Sequence, residues 1–510
     1  MKTLRGFAQF IGMADHPISA RALAAAVFGD SYPGVSLREL VTTFPVGFTE
    51  YAAGPVRGSV YYPAQVDGQA RPFAVTDRVP IVVMAHGNHS PSDPSYLGYD
   101  YVQHRLARMG MIAVSVDCNA LNGPGAGVAN IEARADLIID SILHFQTLDA
   151  DTASIFFGHI DFSRLGLMGH SRGGDAVVTV PTVLPAIGVN VRAVLALAPT
   201  NFRYWSDMPT IRPAGYAFMT ILPAADGDVV DNNGTQFYDQ AEPAPYKSQI
   251  YSHSTNHNFF NRKWLQDDGV TAVVSRADHE RVLDVYGSAL FRSRLLDHQT
   301  QALLEGRIAP KGVLADVAHL SFMLEGQPTV DDHEDGNGIA TNTLGLPTTQ
   351  AGGMVAAEYP FDQVAGAYNG SFFGLTTGMV IEPAQPGATF RTPVGTADVR
   401  DREIWIRVAE VVKKPLPGGG TGFQLGLEDD RGTVAWVDAD AVGGVPRPFQ
   451  RPDQTKTMLK TLRFPSSGFK AANGRVRLDQ VRAVLIRGAA GRALAFDDLQ
   501  LVSAGDGGSR

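Results

Sequence analysis

Residues Arg164–Gly174 read RLGLMGHSRGG, and no other stretch restricts the fold as much. An apolar, strand-like run through Leu165, Leu167 and Met168 stops abruptly at Gly169-His170-Ser171-Arg172-Gly173-Gly174. This gives a G-x-S-x-G pattern, the signature of a sharp strand-to-helix turn. Glycines two before and two after the serine allow strand and helix to approach closely, and the hydroxyl is thrust out of the sheet. Ser171 is therefore read as a nucleophile held in a strained backbone conformation. With 54 glycines in 510 residues, chance alone supplies roughly 0.3 such patterns in a chain of this length. The surrounding chain has to carry the argument.

That surrounding alternates short apolar runs with amphipathic helices. Strands are expected at Gly58–Tyr62, Ile81–Ala85, Ile112–Asp117, Leu165–His170, Ala193–Ala198, Ala217–Leu222 and Gln249–Ser252. The clearest helix spans Asn130–Asp149, where Ile131, Ala135, Ile138, Ile142, Phe145 and Leu148 form one stripe, and a second covers Ala277–Leu296. Continuous apolar strands separated by helices predict an α/β class, a doubly wound and mostly parallel sheet with its site at the carboxyl ends of the strands. After Pro328 the pattern changes to alternating strands without a convincing helix: Ile404–Val412, Phe423–Leu427, Leu459–Phe464 and Val481–Ile486, with a turn at Pro417–Gly420. The expected organisation is a helical lead-in over 1–44, a catalytic α/β domain over 45–328 and an all-β sandwich or jelly roll over 329–510.

Charge and composition narrow the classes of function. A net charge of −9, without clustered Lys and Arg, argues against nucleic acid as a partner. Cys118 is the single cysteine, so the fold stands without an internal disulfide. No run approaches membrane-spanning length, and Gly12, Asp15, His16 and Pro17 interrupt the start of the chain. A cytoplasmic protein is expected if this is the full native chain, and a secreted one if a signal peptide has been removed.

A serine nucleophile needs a base, and the base needs an orienting acid. In a doubly wound sheet these follow in the order Ser, acid, His. After the strand Ala217–Leu222 the chain reads Pro223-Ala224-Ala225-Asp226-Gly227-Asp228-Val229-Val230. Asp226 is favoured as the acid, since an apolar residue three positions later lets the turn point its carboxylate at the site, and Asp228 is the alternate. Six histidines follow. His279 and His298 fall on a helix pattern, His319 in an apolar segment and His333 at the domain junction, so core or surface roles suit them. His257 lies in the loop past the strand end and is favoured as the base, with His253 as alternate. Zinc binding by His253 and His257 lacks a third ligand. The oxyanion of acyl transfer needs two N–H donors. One is expected from Arg172, after the serine, and the other from Asn88, in the loop where Ile81–Ala85 runs into His86-Gly87-Asn88-His89. His86 and His89 are read as holding that loop by hydrogen bonds.

Over Gly47–Phe291 the sequence resembles the α/β-hydrolase superfamily. Gly-His-Ser-Arg-Gly-Gly at 169–174, with His86-Gly87, is similar to the branch containing chlorophyllases, dienelactone-hydrolase-like enzymes and bacterial cutinase-type polyesterases. Gly98-Tyr99-Asp100-Tyr101 and Asp117–Asn122 are also similar to segments of that branch. The resemblance implies a triad of Ser171, Asp226 and His257, oxyanion donors at Asn88 and Arg172, and no cofactor. The last domain is similar to galactose-binding-like jelly rolls, which implies a carbohydrate or polymer as a partner there and Asp332, Glu334 and Asp497 as candidates for a structural calcium. The resulting expectation is a serine esterase acting on a small or polymeric ester. Its rivals are a glycan- or polymer-binding protein on a non-catalytic hydrolase scaffold, and an acyltransferase.

Overall fold

A computed structural model of the chain describes residues 43–503 apart from 75–76, 126, 254, 267–273, 299, 307–317, 362–373, 412–421 and 451–454. The expected lead-in helix and the Pro417–Gly420 turn lie outside the described residues. The chain forms two compact units, one up to Ala318 and one from His319.

The first unit is built on a mixed sheet. Its strands are β1 (Val46–Ala53), β2 (Val56–Pro63), β3 (Gly68–Gln69), β4 (Val79–Ala85), β5 (Ile112–Val116), β6 (Ile160–His170), β7 (Val191–Leu197), β8 (Ala217–Pro223) and β9 (Tyr246–Ser252). In space they run β9-β8-β7-β6-β4-β5-β2-β1-β3. From β5 to β9 all neighbours are parallel, whereas β2 runs antiparallel to both β1 and β5. β4, β5, β7, β8 and β9 are buried or nearly so along their whole length, as expected of strands covered on both faces.

Helices supply those covers. On one face lie α1 (Asp100–Arg108) and α5 (Arg276–Leu295), packed against each other; on the other lie α2 (Val128–Ala150) and α3 (Arg172–Thr179), likewise paired. A shorter helix, α4 (Thr235–Gln240), follows β8. Alternation along the strands decides which residue meets which cover. Val83, Val114, Leu167 and Val194 share one core with Ile138, Ile142 and Phe145 of α2. Helix α5 sits so close to β6 that a Cβ on Gly166 would lie 2.8 Å from the Phe291 ring.

Register brings the strand ends together. Ala85 pairs with Gly169, Gly169 with Ala196, Leu197 with Ile221, and Pro223 with Ser252. The loops that begin at His86, Ser171, Ala224 and His253 therefore leave the sheet on one rim.

The second unit contains two large antiparallel sheets, besides a small ribbon of Phe449–Gln450 and Thr455–Lys456. One runs Met354–Pro360, Thr377–Pro383, Leu494–Ser503, Arg402–Glu410, Lys460–Pro465, with Thr329–Asp331 also pairing Leu494–Ser503; the other runs Thr349–Ala351, Thr389–Ala397, Val481–Gly488, Phe423–Asp429, Val434–Asp438. Ile406, Phe464 and Phe496 of the first share a core with Phe390, Leu425 and Ile486 of the second. A helix at Ser466–Ala472 stands where only strands were expected, with Phe469 of this seven-residue segment in that core. The unit begins ahead of Pro328 because Ser321 Oγ donates to the Leu459 carbonyl (2.7 Å) and Thr461 Oγ1 accepts from the Phe322 amide (3.1 Å). Among the described residues no helix is long and apolar enough to cross a membrane.

Candidate active site

Ser171 occupies the corner between β6 and α3 at φ 58° and ψ −124°, a conformation that L residues rarely adopt. Its backbone is fixed at both ends: the amide donates to Leu197 O at 2.9 Å, and its carbonyl accepts from the Thr200 amide at 3.3 Å. The flanking glycines are required by contact. A Cβ on Gly169 would lie 2.0 Å from the Gly173 carbonyl oxygen, and one on Gly173 would lie 2.3 Å from Ala85 O. The β4 loop presses on the serine itself, since a Cβ on Gly87 would come within 2.4 Å of Ser171 Cβ.

The β8 and β9 loops are stitched together before they present their side chains. Ala224 N donates to Ser252 O (2.8 Å) and Ala225 N to Thr255 O (3.0 Å). Asp226, fully buried, then accepts from Asp228 N (3.0 Å) and Val229 N (2.7 Å) on Oδ1, and its Oδ2 lies 2.9 Å from Nδ1 of His257. A carboxylate with these neighbours is an acceptor, so Nδ1 of His257 carries the proton and donates. His257 is itself buried, stacked on the Trp264 indole (centroids 6.3 Å, planes 4° apart), and its ring centre is 4.8 Å from that of His170, the residue before Ser171.

The alternates are placed differently. Asp228 is half-exposed, and its Oδ2 lies 3.4 Å from Nε2 of His257. His253 turns its ring edge-on to Tyr251 at 5.3 Å, and burial lowers its pKa to about 4.

In the β4 loop, His86 is buried and its pKa is lowered to about 3, first by burial and then by the nearby Arg134 charge. Its Nε2 accepts from the Cys118 amide (2.9 Å), which leaves Nδ1 to donate to Gly87 O (2.8 Å). His89 Nδ1 pairs with Asp93 Oδ2 at 2.7 Å, and its ring stacks on Trp264. Both histidines hold the loop. Asn88 Oδ1 accepts from Gly123 N (2.8 Å), and Arg172 Nη1 donates to Gly125 O (2.7 Å), so both residues expected to supply oxyanion amides are tied to one segment. The Cys118 thiol is buried and pushed up to about 11, a non-nucleophilic state.

Several contributors escaped the sequence reading. Trp264 gathers His89, His170 and His257 around it and donates Nε1–H to Ser95 Oγ (2.9 Å). Tyr99 Oη lies 2.9 Å from Nδ1 of His170, whose pKa is driven well below the ordinary value by burial and then by His257. His279, expected in a core or surface role, accepts from the Asn256 amide on Nε2 (2.9 Å) and so braces the loop that carries His257. Helix α5 ends at Leu295, so His298 lies beyond it. Arg134 sits on the apolar stripe of α2, and a charged residue inside such a stripe was the available signal.

In the second unit, the carboxylates considered for calcium are engaged by protein donors. Asp332 Oδ1 accepts from Thr343 Oγ1 (2.8 Å), Glu334 Oε1 from Thr376 Oγ1 (2.7 Å) and Thr377 N (2.8 Å), and Asp497 Oδ2 from Arg407 Nη1 (2.9 Å). Buried His333 pairs with Glu358 Oε1 at 3.0 Å. Among the described residues no group of three or more His, Cys, Asp or Glu side chains is arranged to hold a metal ion.

The chain is similar in part to known proteins. It is 24% identical over 172 residues to cutinase est1 of Thermobifida alba, covering 32% of this chain and 51% of that protein. It is 25% identical over 196 residues to cutinase cut1 of Thermobifida fusca, covering 34% and 57%. It is 27% identical over 126 residues to cutinase 2 of Thermobifida cellulosilytica, covering 23% and 43%. The chain spans about half the length of these relatives. No family model matches it.

Proposed function

We propose that this chain is a carboxylic ester hydrolase of α/β-hydrolase type, with Ser171 as nucleophile, His257 as base and Asp226 as orienting acid. The observation that carries this reading is the buried 2.9 Å contact between Asp226 Oδ2 and His257 Nδ1, on the sheet rim where β6 turns at Ser171. With Nδ1 committed to the carboxylate, Nε2 is the basic nitrogen and takes the Ser171 proton as the hydroxyl attacks an ester carbonyl. The backbone amides of Asn88 and Arg172 serve the developing oxyanion, the latter at the first turn of α3 where unpaired N–H groups point outward. Collapse releases the alcohol, which takes the proton from His257. Water then repeats the sequence on the acyl-enzyme.

The partial similarity to three proteins named cutinases supports an ester substrate and makes a polymeric ester the first to try. In the second unit the paired antiparallel sheets support a jelly-roll-like sandwich of the galactose-binding-like kind. Ser171→Ala should lower turnover of an activated aryl ester by on the order of a thousandfold or more. A fluorophosphonate should label the parent at Ser171. An unlabelled parent retained on a polysaccharide column would favour a binding protein on an inactive scaffold, and product diversion by added alcohol would favour acyl transfer.

A further inference from the structure

We propose that Arg134 is a positioning residue for the oxyanion amides, acting with His86 on the Gly87–Asn88 peptide. The proposal rests on the esterase reading above, and nothing in the G-x-S-x-G pattern or the triad calls for it.

Arg134 is completely buried, on a helix face shared with Ile131, Ala135, Ile138, Ser141 and Ile142. Its partners are neutral groups: Asn130 Oδ1 (3.1 Å), His86 O (3.2 Å), Gly87 O (3.5 Å), Leu121 O (3.2 Å), Asn122 Oδ1 (2.7 Å) and the Cys118 thiol. Burial pulls its pKa down, as expected of a cation removed from water. A guanidinium kept at such a position without a hydrogen-bonded carboxylate is unfavourable for stability, so its retention asks for a use.

The location supplies one. Leu121 and Asn122, which Arg134 grips with Nη2, open the segment whose Gly123 N–H and Gly125 carbonyl hold the side chains of Asn88 and Arg172. Both residues assigned to the oxyanion therefore hang from one frame, and Arg134 anchors its root. With Nη1 it reaches the carbonyls of His86 and Gly87. The Gly87 carbonyl belongs to the same peptide as the Asn88 N–H, and it also receives the His86 Nδ1–H bond. Donors on that oxygen fix the peptide plane and polarise its N–H, which strengthens it as a donor. The chain from Cys118 N–H through the His86 ring to Gly87 O reinforces the same dipole. Because Gly87 touches Ser171, a slip of the loop is felt at the nucleophile.

The test uses full-length Arg134→Met and His86→Gln variants, with concentrations of competent enzyme fixed by end-point fluorophosphonate titration. Expected for Arg134→Met is a fall in kcat per titrated site of about tenfold to a hundredfold, less than outright deletion of an oxyanion donor. KM should stay within about threefold, and affinity for an alkylboronic acid, which adds Ser171 as a tetrahedral anion, should fall in parallel with kcat. Arg134→Lys, retaining charge but not the fork, should recover part of the loss. His86→Gln should show the same split, which keeps the proposal open to refutation if Arg134→Met does not fold. Unchanged kcat per titrated site, or a kcat loss without weaker boronate binding, overturns the proposal and reduces Arg134 to a fold brace. A parent that is itself unlabelled at Ser171 refutes the esterase reading instead.

Discussion

Asp228 approaches His257 from the nitrogen opposite the one held by Asp226: its Oδ2 is 3.4 Å from Nε2, against 2.9 Å between Asp226 Oδ2 and Nδ1. The two carboxylates differ in what water can do for them. Asp226 is sealed, whereas the Asp228 side chain is 47% exposed and screened. Asp226→Asn should therefore lower kcat by about a thousandfold to ten-thousandfold through the wrong histidine tautomer, while Asp228→Asn should keep turnover of a neutral ester within about threefold. At low ionic strength Asp228→Asn should also favour an ester bearing a free carboxylate, an advantage that added salt erases. Steady-state rates on the two esters separate these roles, and equal losses in both variants would refute the assignment of the acid.

The contact between the β4 loop and the elbow predicts a second result. Gly87→Ala places a methyl 2.4 Å from Ser171 Cβ and 2.9 Å from the His170 carbonyl oxygen. Either the loop or the serine must shift, and a displacement of a few tenths of an ångström between nucleophile and oxyanion amides should reduce kcat by about a hundredfold. Gly474→Ala, where an added Cβ meets nothing within 4 Å, serves as the folding control and should leave the rate unchanged.

The contrast between what the residues announced and what they concealed has physical causes. Apolar strands such as Val79–Ala85 and the long helix Val128–Ala150 are local patterns, and they stand within a few residues of where periodicity put them. Strand β1 went unread because Thr49 and Glu50 break its apolar run and half of its residues are exposed. Helix α1 buries only Val102, Gln103, Leu106 and Ala107 among polar neighbours, too little for a visible stripe. In the candidate site, Ser171, Asp226 and His257 follow strand ends, so their place on one rim of the sheet was legible. Trp264 meets His89 and His170, far away in sequence, and no local rule reports such contacts.

His279 gives a pH prediction with a definite sign. Burial lowers its pKa to about 4, below the ordinary 6.5, and outweighs the Ser275 carbonyl 2.8 Å from Nδ1, which acts to raise it; the neutral ring accepts from Asn256 N–H on Nε2. A depressed histidine stabilises the fold above the unfolded-state pKa and loses that contribution as pH falls from about 6.5 toward 4. His279→Gln, which does not titrate, should be less stable than the parent at pH 8, and the gap should shrink by on the order of 2 kcal/mol by pH 4.5. Urea unfolding at the two pH values measures it. A gap that stays constant would mean that the ring's charge state is irrelevant to the His257 loop.

Asp175 runs in the other direction. It lies one turn past Ser171, buried, with Oδ2 accepting from Phe202 N (2.9 Å) and Thr200 Oγ1 (3.2 Å), and burial outweighs those donors to raise its pKa to about 7. An acid with a raised folded-state pKa favours the fold when protonated, so its contribution is complete below about pH 4 and disappears as pH rises through 7. Asp175→Asn abolishes the titration while keeping size and an acceptor oxygen. Whatever constant offset the new amide introduces toward Thr200, the stability difference between variant and parent should move in favour of the variant by on the order of 3 kcal/mol from pH 5 to pH 8. Only that slope tests the idea, because the offset cancels between the two pH values. If the difference is flat, Asp175 is ionised throughout and its two donors, not burial, govern the turn that holds Ser171.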